Sequence, residues 1–259
     1  MKLKIFSAKC GSFSTYETIT VEVDPGYKVI SGGAELADGD ILMKASYPSS
    51  ATSWTATFKD HLAGYSGGIV GYAVGLYDPN NEWDVVITTA SSNMSPSPSI
   101  KATVAEGYQM TGGGAEIIDG DANGIVIFGN FPFDDKNWMA VGNEHYFSGT
   151  GQIKSYAIGV RHKVETDCPS SCSIASEIST PAQHPVAVIS RPDQVIVGGG
   201  AAGTLPEDGD GLAGNALIIT APQLNGKQWL AKAKDHKIIQ FGHVTCYAIE
   251  CPADQVKFM

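Results

Sequence analysis

Trp54-Thr-Ala-Thr-Phe-Lys-Asp60-His61 returns as Trp138-Met-Ala-Val-Gly-Asn-Glu144-His145 and again as Trp229-Leu-Ala-Lys-Ala-Lys-Asp235-His236. In each copy Ala lies two places after Trp, an acid six places after it and His seven. The match spreads outward. Each His is followed eleven residues on by Tyr72, Tyr156 or Tyr247, within Tyr-Ala-(Val/Ile). Upstream stand Ser-Gly-Gly-Ala34, Gly-Gly-Gly-Ala115 and Gly-Gly-Gly-Ala201. The chain therefore carries an internal repeat of about 80 to 90 residues, which has to be settled before any shorter motif is weighed. From the Gly-Gly-Ala alanine to the next shared proline (Pro48, Pro132, Pro222) the distance is 14, 17 and 21 residues. Length varies where backbone need not be buried. The Trp-to-His and His-to-Tyr distances never vary, so that part is geometrically fixed.

Between these landmarks sustained 3.6-residue periodicity is absent. Short runs rich in Val, Ile, Thr, Tyr and Phe alternate with clusters of Gly, Asn, Asp, Pro and Ser, the pattern of an all-β sandwich, barrel or prism. About six strands are expected per repeat. In the first they are 3–7, 18–23, 28–34, 41–46, 54–60 and 70–76. In the second they are 85–89, 100–104, 109–116, 125–128, 138–144 and 154–160. The third begins near Val164 and continues through 186–189, 195–201, 216–220, 229–235 and 244–249. The expectation is one all-β domain, residues 1–259, of three pseudo-symmetric repeats at about 1–79, 80–162 and 163–259. Polar seams, Asp78-Pro-Asn-Asn-Glu82 and His162-Lys-Val-Glu-Thr-Asp167, join them. Ser91 to Ser99, rich in Ser and Pro, falls inside the second repeat and reads as a long surface loop.

Bulk properties exclude several classes of partner. The 259 residues carry a formal net charge of -10. Nucleic acid is excluded as a partner, because its binding needs clustered Lys and Arg to displace phosphate counterions. Purely electrostatic docking on anionic lipid is excluded on the same ground. No apolar run is long enough for a transmembrane helix. The start, Met1-Lys-Leu-Lys-Ile-Phe-Ser-Ala-Lys-Cys10, lacks the apolar core of a signal peptide. Localisation stays open between the cytosol, a non-classical release route and a leader already removed. Of five cysteines none recurs in all three repeats. A bridge local to the third repeat, Cys172 to Cys251 for instance, is compatible with the spacing, but the framework does not call for it. Cys168-x3-Cys172 has no second pair to complete a zinc site.

The candidate site residues come from the repeated stretch. Taken as a strand, it puts Trp54, Ala56, Phe58 and Asp60 on one face and His61 on the other. The copies place Trp138 with Glu144 and Trp229 with Asp235, and His145 and His236 opposite. The plain reading makes Trp core, lets the acid cap a turn and lets His hold a loop, because the same packing problem recurs in every unit. The sharper reading makes Trp, acid and His the wall of a small pocket suited to a sugar, which offers a C–H face to an indole and hydroxyls to carboxylate and imidazole. A third reading brings the three histidines together on zinc. Because alternation separates His from Trp, the last two residues of the motif are the better ligand candidates.

Other motifs carry less. Gly198, Gly200 and Gly203 satisfy G-x-G-x-x-G, but a loop follows where a dinucleotide site needs a helix. These glycines are expected to permit close strand approach or a bulge under an aromatic ring. Gly64-Tyr-Ser-Gly-Gly68 matches a nucleophile elbow only formally, since it lies between two strands. Asp38-Gly-Asp40, Asp119-Gly-Asp121 and Asp208-Gly-Asp210 read as hairpin turns, with calcium as the alternative. No cofactor is implied. Every polar candidate comes in threes, unlike the single asymmetric constellation of an active site, so an enzyme is not expected.

Gly-Gly-Ala, Pro, Trp-x-Ala-x-x-(Lys/Asn)-(Asp/Glu)-His and Tyr-Ala-(Ile/Val)-Gly, three times over the whole chain, resemble the repeat of the β-tripod family. That pseudo-threefold all-β domain occurs at the C-terminus of insecticidal perforin-like toxins and in stand-alone relatives. The resemblance implies a non-enzymatic, lectin-like domain that binds a cell-surface glycan or receptor, alone, as a homo-oligomer or with a partner toxin subunit. An insecticidal or cytolytic protein acting on membranes is the alternative. The third repeat departs from the pattern, with Asp193-Gln194 in place of Gly26-Tyr27 and Gly107-Tyr108, and Glu250 in place of the last Gly.

Overall fold

Short alternating runs become strands throughout, and helix is absent from the described residues. The structure, a computed structural model, describes residues 1–11, 16–36, 41–60, 68–120, 124–145, 148–164, 172–205, 214–223, 226–235 and 239–259. The first third of the chain forms β1 (Lys2–Cys10), β2 (Tyr16–Glu22), β3 (Tyr27–Leu36), β4 (Ile41–Pro48), β5 (Ser53–Asp60) and β6 (Ile69–Tyr77). The second forms β7 (Trp83–Ser91), β8 (Ser99–Thr103), β9 (Gln109–Gly120), β10 (Ile125–Pro132), β11 (Asn137–Glu144) and β12 (Gly151–His162). The last forms β13 (Ser173–Ile178), β14 (Val186–Ser190), β15 (Gln194–Gly203), β16 (Ala216–Pro222), β17 (Gln228–Lys234), β18 (Val244–Pro252) and the short β19 (Lys257–Phe258). The expected strand near Val164 is a correction: Val164 is 85% exposed, and the first strand of this third is β13.

The strands assemble into three sheets, ordered β2-β5-β4-β9-β12-β7, β8-β11-β10-β15-β18-β13 and β14-β17-β16-β3-β6-β1-β19. The order is the same in each, with every strand six places further along the chain and β19 added in parallel to β1. Every sheet thus joins three strands from one third of the chain to three from another. The joints are narrow. Ala45 and Ser46 face Glu116 and Ala115; Gly129 and Asn130 face Ala202 and Ala201; Ile219 and Thr220 face Glu35 and Ala34. The alanine of each Gly-Gly-Ala sits at a joint.

The glycines before it explain the spacing. A Cβ on Gly32, Gly113 or Gly199 would lie 2.3, 2.3 or 2.7 Å from an atom of Trp54, Trp138 or Trp229. A Cβ on Gly33 or Gly200 would lie 2.1 or 2.2 Å from the carbonyl oxygen of Thr220 or Asn130 across the joint. One glycine makes room for an indole and its neighbour lets two backbones meet, as the sequence pattern suggested. Behind them lies the core, with Leu3, Ile30, Ile41, Phe58, Ile69 and Phe128 among its fully buried side chains.

Candidate functional site

The three tryptophans of the motif are 0–1% exposed. An indole without surface has no face on which to stack a sugar, so Trp54, Trp138 and Trp229 are not ligand-binding residues in this fold. Each pairs opposite the shared proline, at Pro48, Pro132 and Pro222. Each indole N–H is satisfied two residues before that proline, by Ser46 Oγ at 3.1 Å, Asn130 Oδ1 at 2.7 Å and Thr220 Oγ1 at 3.1 Å. A buried indole needs such an acceptor, and a different polar side chain supplies it in each copy.

The acids hold turns. Glu144 Oε2 accepts the N–H of Gly149 and Asp235 Oδ2 accepts that of Gln240, each at 3.1 Å and each five residues on. Asp235 is 4% exposed and lies 3.3 Å from Nε2 of His184. His145 is 1% exposed, with its ring centroid 5.8 Å from that of Phe128. As ligand-binding residues Asp235 and His145 are corrected on the same ground as the tryptophans, since both are enclosed by protein. His61, His236 and the side chain of Asp60 lie outside the described residues, as do Gly64 to Gly67 of the elbow-like stretch and the side chains of the Asp-Gly-Asp triplets. The zinc reading needs His61 and His236 and lies there too. Among the described residues no three His, Cys, Asp or Glu side chains group as a metal site.

The shared tyrosines are also framework. Tyr72 and Tyr156 each donate at 2.6 Å, to Glu35 and Glu116, beside the sheet joints. Burial, then the glutamate hydrogen bond, pushes both phenols far up, so they stay neutral donors. Tyr156 stacks on Tyr47 and Tyr247 on Phe131, at 4.9 and 4.8 Å between centroids. In the remaining copy Ala221 stands where Tyr47 and Phe131 stand.

A surface concavity forms where the repeat pattern is broken. A groove of about 460 Å³ opens between the β6–β7 connection and the chain around β1 and β19. One wall, from the β6–β7 side, carries Tyr77, Pro79, Asn80, Glu82, Trp83 and His162; the other, from the β1–β19 side, carries Lys2, Asp254, Gln255 and Lys257, and the two meet where Tyr77 lies beside Lys2. Trp83 pairs with His162 across β7 and β12, their rings edge to face at 4.9 Å. Unlike the other three, the Trp83 indole reaches solvent. Tyr77 is 38% exposed.

The first wall is built to stay put. Asp78, 6% exposed, accepts the N–H groups of Glu82 at 2.6 Å and Trp83 at 3.3 Å, and pairs with Lys28 at 2.7 Å. Burial alone would raise the Asp78 carboxyl; Lys28 and the two N–H groups outweigh it and hold it below its ordinary value. Lys28 Nζ also reaches Asn81 Oδ1 at 2.8 Å and the Trp83 carbonyl at 2.6 Å. Lys163 Nζ binds the Asn81 carbonyl at 2.7 Å. Asn81 has φ 56°, a conformation uncommon outside glycine that persists where its surroundings fix it. On the second wall Gln255 and Val256 return N–H groups to Pro252 O at 3.1 and 3.2 Å. Cys251, just before that turn, is bonded to Cys172.

No family model matches the chain, and no curated protein does. Aromatic rings, carboxylates and carboxamides line the groove together, and its volume is within the range of small-molecule pockets. The repeat pattern hid it, because its residues belong to seams. One signal was available in the sequence: of four tryptophans, the motif accounts for three, and Trp83 follows directly on the polar seam Asp78 to Glu82.

Proposed function

We propose that the chain is a non-enzymatic surface-recognition domain, β-tripod-like and built of three pseudo-symmetric repeats, whose ligand is a carbohydrate held in the groove at Trp83. The observation that carries this reading is the half-buried indole of Trp83, which packs on the core yet lines the groove, set against His162 and flanked by Glu82 and Asn80. A sugar presents a C–H face to such a ring and hydroxyls to the carboxylate and carboxamide. The common strand order of the three sheets supports the repeat reading. The bracing of the loop by Lys28, Lys163 and Asp78 supports the binding reading, because a pre-ordered wall avoids the entropy cost of ordering on binding. In this role the domain would present a cell surface to a cytolytic partner, or act alone as a lectin.

Glycan-array binding with fluorescently labelled protein tests this. Trp83→Ala should abolish binding at a cost of about 1–2 kcal/mol in stability, since its indole is only partly buried against the core, and Trp83→Phe, which keeps an aromatic filler, should weaken binding with a smaller stability loss. Trp138→Ala should instead unfold the protein or destabilise it by about 3–5 kcal/mol. Glycan binding that survives Trp83→Ala would move the site elsewhere.

A further inference from the structure

The charges of the groove narrow its ligand further. Among the described residues none of the side chains of Glu82, Asp254, Lys2 and Lys257 is in an ion pair. They are not mixed at random. Glu82 lies on the wall that carries Tyr77 and Trp83. Lys2 and Lys257 lie on the adjoining wall, as direct register partners of parallel β1 and β19, with Tyr77 next to Lys2 one step beyond the Leu3–Leu76 pair. Register partners in a sheet project to the same face. Two lysine side chains therefore leave the sheet from adjacent positions, and like charges placed opposite one another favour an anion beside them. Asp254 is the one carboxylate among the described residues of that wall, against the two lysines and the terminal ammonium of Met1, which donates to the Gln255 carbonyl at 2.5 Å.

We propose that the groove binds a zwitterionic head, a quaternary ammonium joined to a phosphate diester, as in phosphocholine. This rests on the groove being the binding site proposed above and narrows its ligand from a neutral sugar to a glycan that bears such a head. The ammonium sits against the faces of Trp83 and Tyr77 beside Glu82. Aromatic rings attract such a cation through their quadrupole, and more strongly as water is excluded. The phosphate is received by Lys2 and Lys257, for which charge-assisted hydrogen bonds suit its oxygens. A neutral sugar uses the aromatic wall and leaves the lysine pair unanswered. A simple anion leaves the aromatic wall unused.

Calorimetric titration of the intact chain with phosphocholine, choline, inorganic phosphate and a panel of methyl glycosides tests the assignment. Phosphocholine should bind at least about tenfold more tightly than choline or phosphate alone. Glu82→Gln should weaken choline and phosphocholine about tenfold and leave phosphate unchanged; Lys257→Met should weaken phosphate and phosphocholine and leave choline unchanged, each loss being near the strength of one charge-assisted contact. Sedimentation with phosphatidylcholine vesicles, set against capture on phosphocholine-coupled beads, separates a lipid source from a soluble or glycan-borne one. Binding of a neutral glycoside but not of phosphocholine, lost in Trp83→Ala, would overturn this inference and keep the groove as a sugar site. Absence of any Trp83-dependent heat would overturn both.

Discussion

Lys44 shows what the copies reveal when they disagree. It occupies the bulge of β4 where Phe128 and Ile218 occupy the bulges of β10 and β16. It is 7% exposed and donates to the Ile125 carbonyl at 2.8 Å. Burial, helped by nearby Lys59, lowers its ammonium to about 8. The unfolded chain, with an ordinary lysine near 10.5, binds the proton more tightly. The penalty of burying the charge is therefore fully present below pH 8. Stability rises between about pH 8 and 10.5, by roughly 3 kcal/mol for this group alone. Lys44→Met should stabilise the protein at pH 7 by about 1–2 kcal/mol, net of the lost hydrogen bond, and should flatten that rise. Urea midpoints of both proteins at pH 7 and pH 10 measure it; a destabilised variant at pH 7 would mean the charge is answered by an anion. The bulge itself was not legible in the sequence, since Lys44 breaks no alternation that a reader could see. The roles of the repeated glycines were legible, because Gly32, Gly113 and Gly199 each stand two residues before the alanine of a Gly-Gly-Ala. What misled at this scale was chemistry: Trp, acid and His suit a sugar, but the same three residues suit a buried indole, a capped turn and an enclosed ring.

Strands were easier to read than sites. Alternation is imposed by burial of one face, and it marked seventeen of the eighteen expected strands close to where they form. It failed at the start of the last third, where Ser173-Ile-Ala-Ser-Glu-Ile178 is polar and largely exposed. That strand is held by a covalent bond next to it. Cys172, immediately before β13, is joined to Cys251 in β18, closing a separation of 79 residues. The repeat pattern did not call for this bridge, because no other copy has one; the local weakness of β13 gives it a purpose. Constraining a loop of that length in the unfolded chain is worth about 4–5 kcal/mol. Cys172→Ser should lower stability by about that amount, and β13 should lose amide-exchange protection before β18 does. Cys246 does not stand in as a partner: it is buried, and burial pushes its thiol up to about 12, leaving almost no thiolate. A native thiol titration that finds Cys246 reactive, or an unchanged midpoint in Cys172→Ser, would contradict this account.

At the scale of the molecule, the way the sheets are shared decides how the protein unfolds. Each of the three sheets joins three strands from one third of the chain to three from another, with β19 added to one of them. Removing residues 80–162 would strip β9, β12 and β7 from one sheet and β8, β11 and β10 from a second. The interiors of these sheets are continuous across the joints: one buried cluster contains Ala34, Ala115 and Ala201 together with Phe58, Ala140 and Trp229. No third therefore has a core of its own, in contrast to solenoid repeats that contact only their neighbours and can open one at a time. The intact chain should unfold in a single transition, with far-ultraviolet dichroism and tryptophan fluorescence superimposing across a urea series. Residues 80–162 expressed alone should give no near-ultraviolet signal from Trp138 as a monomer, because Gly113 and its sheet would lack the strands that enclose them. Three copies of that segment could still complete one another's sheets, so a folded species of trimer mass by ultracentrifugation would agree with the same geometry. A folded monomer of 80–162, or two separated transitions in the full chain, would show that a third can stand alone and that the joints, two residue pairs wide, do not couple the sheets.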